Sequence, residues 1–144
     1  GDCVGVTCPD GQRCAGGVCI DDPCAAITCG EGFVCMSGTC VPDGTGDEAY
    51  LEVLERALAQ AFERAAPDFV FYQAGVDPLR EDRLGRLALT HEGLRERDAR
   101  VFARARAAGV PLAVTLGGGY AEPIETSIEA HVGTYRAARA AFGP

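Results

Sequence analysis

At 144 residues the chain has the length of one ordinary domain, but all eight cysteines lie between Cys3 and Cys40, so it reads as two unlike parts. The net charge is −8, with the acidic excess in both parts and no basic stripe to neutralise phosphates, which excludes nucleic acid as a direct partner. No apolar run approaches the roughly 20 residues that span a bilayer, so no membrane span is expected.

The first part is a duplication. Cys3, Cys8, Cys14 and Cys19 recur as Cys24, Cys29, Cys35 and Cys40, at a constant offset of 21 and with the spacing C-x4-C-x5-C-x4-C each time. Residues 1–21 and 22–42 are therefore expected as two small disulfide-rich repeats. Gly11 matches Gly32 and Gly17 matches Gly38, at turns that tolerate positive φ. A unit this short buries too little apolar surface to offset its chain entropy, so crosslinks must hold it, each contributing roughly 2 to 4 kcal/mol. Four cysteines permit three pairings, and spacing alone does not choose among them. Thiolate zinc is the rival chemistry, but structural zinc sites usually bring C-x2-4-C knuckles, and no histidine lies in this half. The pattern resembles the N-terminal hairpin of follistatin-type and EGF-like modules. That resemblance implies first-to-third and second-to-fourth pairing: Cys3 with Cys14, Cys8 with Cys19, Cys24 with Cys35, Cys29 with Cys40. A spacer or stalk is the plain functional reading, since apart from Phe33 no exposed aromatic marks a binding face. A module that starts at Gly1 rather than Met is what a chain trimmed of a signal or of upstream domains shows, so a longer product is expected.

Val41-Pro42-Asp43-Gly44-Thr45-Gly46 has the composition of a linker, and residues 43–46 are taken as the boundary. Asp47 is expected to cap a helix running to about Ala66, with Leu51, Leu54, Leu58, Phe62 and Ala65 at helical spacing and Pro67 as the stop. Asp68 to Ala74 reads as a parallel strand covered on both faces, followed by a loop from Gly75 to Leu89. Thr90 is expected to cap a second helix with the stripe Leu94, Val101, Phe102, Ala105 and Ala108, stopped by Gly109 and Pro111. Leu112 to Leu116 makes a second strand and Gly117-Gly118-Gly119-Tyr120 the turn after it; Ile124, Ile128, Val132 and Tyr135 are expected as the buried stripe of a last helix. A two-stranded parallel sheet leaves both edges unpaired, so this α-β-α-β-α run looks like part of a larger domain.

Ligands in open α/β sheets bind beyond the C-terminal strand ends. Those ends carry Gln73-Ala74-Gly75-Val76-Asp77-Pro78-Leu79, with Asp82-Arg83-Leu84-Gly85 after it, and Leu116-Gly117-Gly118-Gly119-Tyr120. In this order and spacing they resemble the C-terminal motifs of the histone deacetylase family, its class IV-like bacterial branch above all. The resemblance covers residues 47–144 and implies a partial three-layer, parallel-sheet α/β segment of the arginase/deacetylase fold. It also implies zinc as cofactor, acetyl-lysine or a small acetylated amine as substrate, Asp77 as the second carboxylate zinc ligand, and Tyr120 as the hydroxyl that donates to the developing oxyanion. Gly117, Gly118 and Gly119 then form the active-site loop. Without the family, Asp77 is a turn residue, Tyr120 a loop aromatic and the glycines a flexible turn or weak phosphate cradle.

The family also needs an Asp-x-His pair and a tandem His-His, and neither occurs. His91 and His131 are more simply surface or core residues than ligands. One carboxylate cannot hold catalytic zinc, which takes about three protein ligands. The expected protein is an incomplete deacetylase-like domain, inactive alone unless a complementing chain or oligomer finishes the site. The alternative is a secreted disulfide-rich structural or binding module with a degenerate α/β half. The compartment signatures conflict, since the cysteine repeats suggest secretion or the cell surface and the other half the cytoplasm.

Overall fold

The computed structural model describes residues 5–9, 12–15, 18–21, 24, 27–36 and 38–143. The chain divides into two compact units, residues 1–43 and 44–144.

The first unit contains two hairpins of one design. β1 (Gln12–Ala15) pairs antiparallel with β2 (Val18–Asp21), setting Cys14 opposite Cys19; β3 (Phe33–Met36) pairs with β4 (Thr39–Pro42), setting Cys35 opposite Cys40. Facing cysteines are not bonded to each other. Cys19 reaches back to Cys8, Cys35 to Cys24 and Cys40 to Cys29, each bond joining cysteines 11 positions apart with Cα atoms 5.5 to 5.8 Å apart. The expected Cys3–Cys14 bridge falls on Cys3, which lies outside the described residues. No described cysteine is a free thiol, so no thiolate zinc site forms among them. Of the residues of this unit whose burial is described, Val41 alone is buried, in keeping with a unit held by covalent bonds rather than a core.

The second unit runs α1 (Asp47–Ala65), β5 (Val70–Gln73), α2 (His91–Ala108), β6 (Leu112–Thr115), α3 (Ile124–Phe142). β5 and β6 are parallel, with Val70 beside Leu112 and Gln73 beside Thr115. α2 is the central helix and packs against both α1 and α3. Its start is set by Thr90, whose hydroxyl accepts from the Gly93 N–H at 3.0 Å, and its end by Gly109 at φ +66. Phe102, fully buried, meets Tyr72 of β5 and Phe142 of α3 edge-on at 5.6 and 5.9 Å. The core continues through Val76, Leu79, Leu89 and Leu94. The segment 75–89 is thus a loop that supplies core, pinned to itself where Leu89 N–H donates to Pro78 and Arg80 N–H to Leu89.

Four expectations are corrected here. Asp47 is not the cap of α1; that position is Gly46, and the Asp47 carboxylate instead accepts from Thr90 N–H and Oγ1 at 2.8 and 2.6 Å, at the start of α2. β5 is not covered on both faces: Val70 and Tyr72 are half-buried while Phe71 is 79% exposed. Ile124, Ile128, Val132 and Tyr135 are exposed, because α3 turns the face carrying Ser127, Ala130, Gly133 and Thr134 inward instead. Ala65 and Ala108, at the ends of their stripes, are exposed as well.

Candidate functional site

The parallel ladder continues past the strands. Ala74 N–H donates to Thr115 at 2.8 Å and Val76 N–H to Gly117 at 3.1 Å, which brings the 74–78 and 117–120 turns side by side beyond the strand ends. A Cβ on Gly118 would stand 2.1 Å from Asp77 Oδ1, so the Asp77 carboxylate lies directly on that glycine, which also adopts φ +70. The anion fills the space that a phosphate cradle would need, and the turn is not a phosphate site. Gly119, at φ +104, faces α3: its Cβ position is 3.2 Å from Ser127 Cβ, 3.3 Å from His131 Nε2 and 3.4 Å from Val76 Cγ2. Gly117 is less crowded, with Gln73 Nε2 at 3.6 Å.

Asp82 ties the third motif to the other two. Its Oδ1 accepts from Leu84 and Gly85 N–H at 2.9 and 2.8 Å, and its Oδ2 from Tyr120 N–H at 2.8 Å. Arg83 N–H in turn donates to the Tyr120 carbonyl at 3.3 Å. Tyr120 is held through its backbone while its side chain is left outside, the residue being 57% exposed. Burial pushes the Asp82 carboxyl up, but the N–H groups of Tyr120, Gly85 and Leu84 outweigh it and hold the group below the usual carboxylate range. A depressed folded value gives stabilisation that is complete above the unfolded value of about 3.9 and is lost as pH falls through the folded one. Asp82→Asn should therefore weaken the unit at neutral pH and lose less stability than the wild type as pH falls below the unfolded value of about 3.9. Thermal unfolding at several pH values checks this; parallel pH dependences of the two proteins would remove Asp82 as the cause.

Beneath the site lies a charged cluster that sequence reasoning missed. Arg97 and Asp98, 4% and 1% exposed, form an ion pair at 2.8 Å. Asp98 also accepts from the hydroxyls of Tyr72 and, at 2.7 Å, Thr134. Arg97 Nη1 donates to the Gly75 carbonyl at 2.6 Å, which ties α2 to the turn that carries Asp77. Burial, opposed by Arg97, raises the phenols of Tyr50 and Tyr72 above their ordinary value. The signal was available: in the stripe Leu94, Val101, Phe102, Ala105 the inward turn between 94 and 101 is filled by residues 97 and 98.

His91 is the first residue of α2. His131 lies beside Gly119, with its Nδ1 buried and unpartnered. Among the described residues no group of three or more His, Cys, Asp or Glu side chains is placed to hold a metal ion. Asp82 is committed to three N–H donors, which leaves Asp77 as the carboxylate on the glycine turn. These residues do not by themselves fit zinc.

Comparison with known proteins gives a consistent picture. The family described as Histone deacetylase domain matches residues 23–135. An uncharacterised protein of the cyanobacterium Picosynechococcus is 44% identical over 98 residues, 68% of this chain and 33% of that protein. Histone deacetylase 2 of Arabidopsis thaliana is 40% identical over 90 residues, 60% of this chain and 23% of that one. Among solved structures, acetylpolyamine aminohydrolase from Burkholderia pseudomallei superposes with a TM-score of 0.56 at 26% identity, covering 70% of this chain and 28% of that one. The HDA15 HD domain superposes with a TM-score of 0.53 at 26% identity, covering 67% and 26%. The chain spans a third or less of each of these proteins.

Proposed function

Because the chain belongs to the histone deacetylase family, we propose that residues 47–142 supply the last strand-end elements of a zinc-dependent deacetylase site that other residues must complete. Acetyl-lysine or a small acetylated amine is the substrate class. The observation that carries this reading is the contact of the Asp77 carboxylate with Gly118, two residues before Tyr120. It sets a fixed anionic oxygen and an exposed phenol on one turn. Asp77 supplies one ligand of the metal. Tyr120, anchored through its N–H and carbonyl, leaves its hydroxyl free to donate to an amide oxygen as that oxygen gains charge. Assignment to the class IV-like bacterial branch, and the three-layer arrangement, rest on the resemblance of the three motifs. We further read the cysteine unit as an EGF-like or follistatin-like hairpin pair from an oxidising, extracellular compartment, in keeping with its bonded cysteines.

The full chain should bind no zinc and release no acetate from an acetylated lysine peptide. Residues 47–142 grafted in place of the matched segment of the Arabidopsis histone deacetylase should retain about one zinc and deacetylate, since a catalytic site needs about three protein ligands and the graft supplies one. In that graft Asp77→Ala should lose the metal, and Tyr120→Phe should keep it while lowering kcat by about 10²- to 10³-fold. An Asp77→Ala graft that still held zinc and turned over would end the proposal.

A further inference from the structure

We infer that Asp82 is the positioning residue of this site: its buried carboxylate holds the Tyr120 peptide in a fixed relation to the turn that carries Asp77. The inference rests on the deacetylase reading of Asp77 and Tyr120.

Tyr120 needs such a hold because of what leads into it. Gly118 and Gly119, at φ +70 and +104, carry no Cβ to restrict their dihedrals, so the backbone before Tyr120 gives way easily. The tyrosine side chain is exposed, and the core does not fix it. The phenol therefore goes where its peptide is held. One segment clamps that peptide from both sides: Asp82 Oδ2 accepts the Tyr120 N–H at 2.8 Å, and Arg83 N–H donates to the Tyr120 carbonyl at 3.3 Å. One residue further on, Ala121 forms an antiparallel bridge with Asp82.

The other end of the link lies on Asp77. Asp82 Oδ1 accepts from Leu84 and Gly85 N–H at 2.9 and 2.8 Å, which closes the 82–85 turn. The Gly85 backbone then rests on the Asp77 peptide, so closely that a Cβ on Gly85 would stand 1.9 Å from the Asp77 carbonyl oxygen. One carboxylate thus joins the main chain beneath the metal ligand to the main chain that carries the phenol. Its chemistry suits the task, because an ionised carboxylate accepts at both oxygens and Asp82, 8% exposed, meets N–H donors at each. An asparagine fills the same space but must set its NH2 group against one side. Keeping its oxygen on the two N–H groups of the turn leaves that NH2 facing the Tyr120 N–H, so Asp82→Asn releases the tyrosine first.

Two measurements test this. In the full chain, amide hydrogen exchange is followed by NMR at Tyr120 and at Phe102, which is fully buried in α2 and reports on opening of the whole unit. Asp82→Asn should speed exchange at Tyr120 about 10-fold more than at Phe102, the scale of one lost hydrogen bond to a charged group. Equal acceleration at the two amides would leave Asp82 a general stabiliser and overturn the inference. In the graft described above, Asp82→Asn should keep about one zinc and an unchanged KM while lowering kcat by about 10- to 10²-fold. In a Tyr120→Phe graft the same substitution should lower kcat by less than about 2-fold, because the group it positions is already gone. Equal losses in the two backgrounds, or loss of the zinc, would place the action of Asp82 elsewhere than on Tyr120 and overturn the inference. The graft also keeps the two ideas apart. An active wild-type graft with equal losses removes the positioning role and leaves the deacetylase reading; an inert wild-type graft removes that reading and the inference with it, whatever the exchange at Tyr120.

Discussion

Asp98→Ala is expected to cost the α/β unit about 3 to 5 kcal/mol, the usual loss when one member of a buried ion pair is removed. The substitution strands the Arg97 guanidinium, which is 4% exposed, and takes the acceptor from the Tyr72 and Thr134 hydroxyls. Burial opposes the Arg97 charge, Asp98 is one of the groups that offset it, and an arginine guanidinium does not shed its proton, so removing Asp98 leaves a buried charge without its carboxylate. A domain of ordinary stability, about 5 to 15 kcal/mol, is left marginal by such a change. All four tyrosines lie in this unit, at 50, 72, 120 and 135, so tyrosine fluorescence during a urea titration reports on it. Thr134→Val should cost far less, about 1 kcal/mol, because it removes one neutral donor to an acceptor that keeps its other partners. Equal midpoints for Asp98→Ala and Thr134→Val would show that the ion pair contributes nothing beyond its hydrogen bonds.

The second large effect is expected at Gly118. An alanine there meets two obstacles: a φ of +70, which costs an L-residue about 1 to 2 kcal/mol, and the Asp77 carboxylate, 2.1 Å from the new methyl. The backbone strain lowers stability, and the collision drives the carboxylate off the turn. In the active graft that displacement should reduce turnover by about 10²-fold, the scale associated with a shift of about 1 Å in a reacting constellation. Gly85→Ala is the informative neighbour. Its methyl would stand 1.9 Å from the Asp77 carbonyl, which is main chain and cannot rotate away, so the whole turn must move. Gly85→Ala should therefore cost more stability than Gly118→Ala, about 3 kcal/mol or above. An active, fully stable Gly118→Ala graft would show that the carboxylate has no need of that seat.

Local chemistry made the elements legible. Thr90 and Gly109 mark α2, and Pro67 lies just past the end of α1, because caps and breakers act within one turn of chain. The three motifs were legible as a resemblance, and the structure explains their proximity through Asp82, which gathers Tyr120 and the 82–85 loop. What sequence reading misjudged depends on neighbours that periodicity cannot weigh. In α3 the larger apolar residues lie outside and Ser127, Ala130, Gly133 and Thr134 inside, where Ser127 accepts from Ala121 N–H and Thr134 donates to Asp98. In α2 the run Arg95-Glu96-Arg97-Asp98 looks solvated, yet its third and fourth members are buried; only the partners Tyr72, Thr134 and Gly75, supplied by other segments, make that tolerable.

The Asp47–Thr90 contact also bears on the order in which this unit assembles. The carboxylate at the head of one helix binds the residue that caps another, across 43 positions of chain, and Gly93 has no side chain because Asp47 Oδ1 would lie 2.0 Å from it. The Thr90 to Gly93 cap can form within a single nascent turn, whereas closing the intervening loop costs about 3 kcal/mol of chain entropy before any contact repays it. The second helix can therefore begin on its own and be locked only later. The locking step waits for the first helix and the strand to come round, so it reports the arrival of tertiary structure rather than of helix.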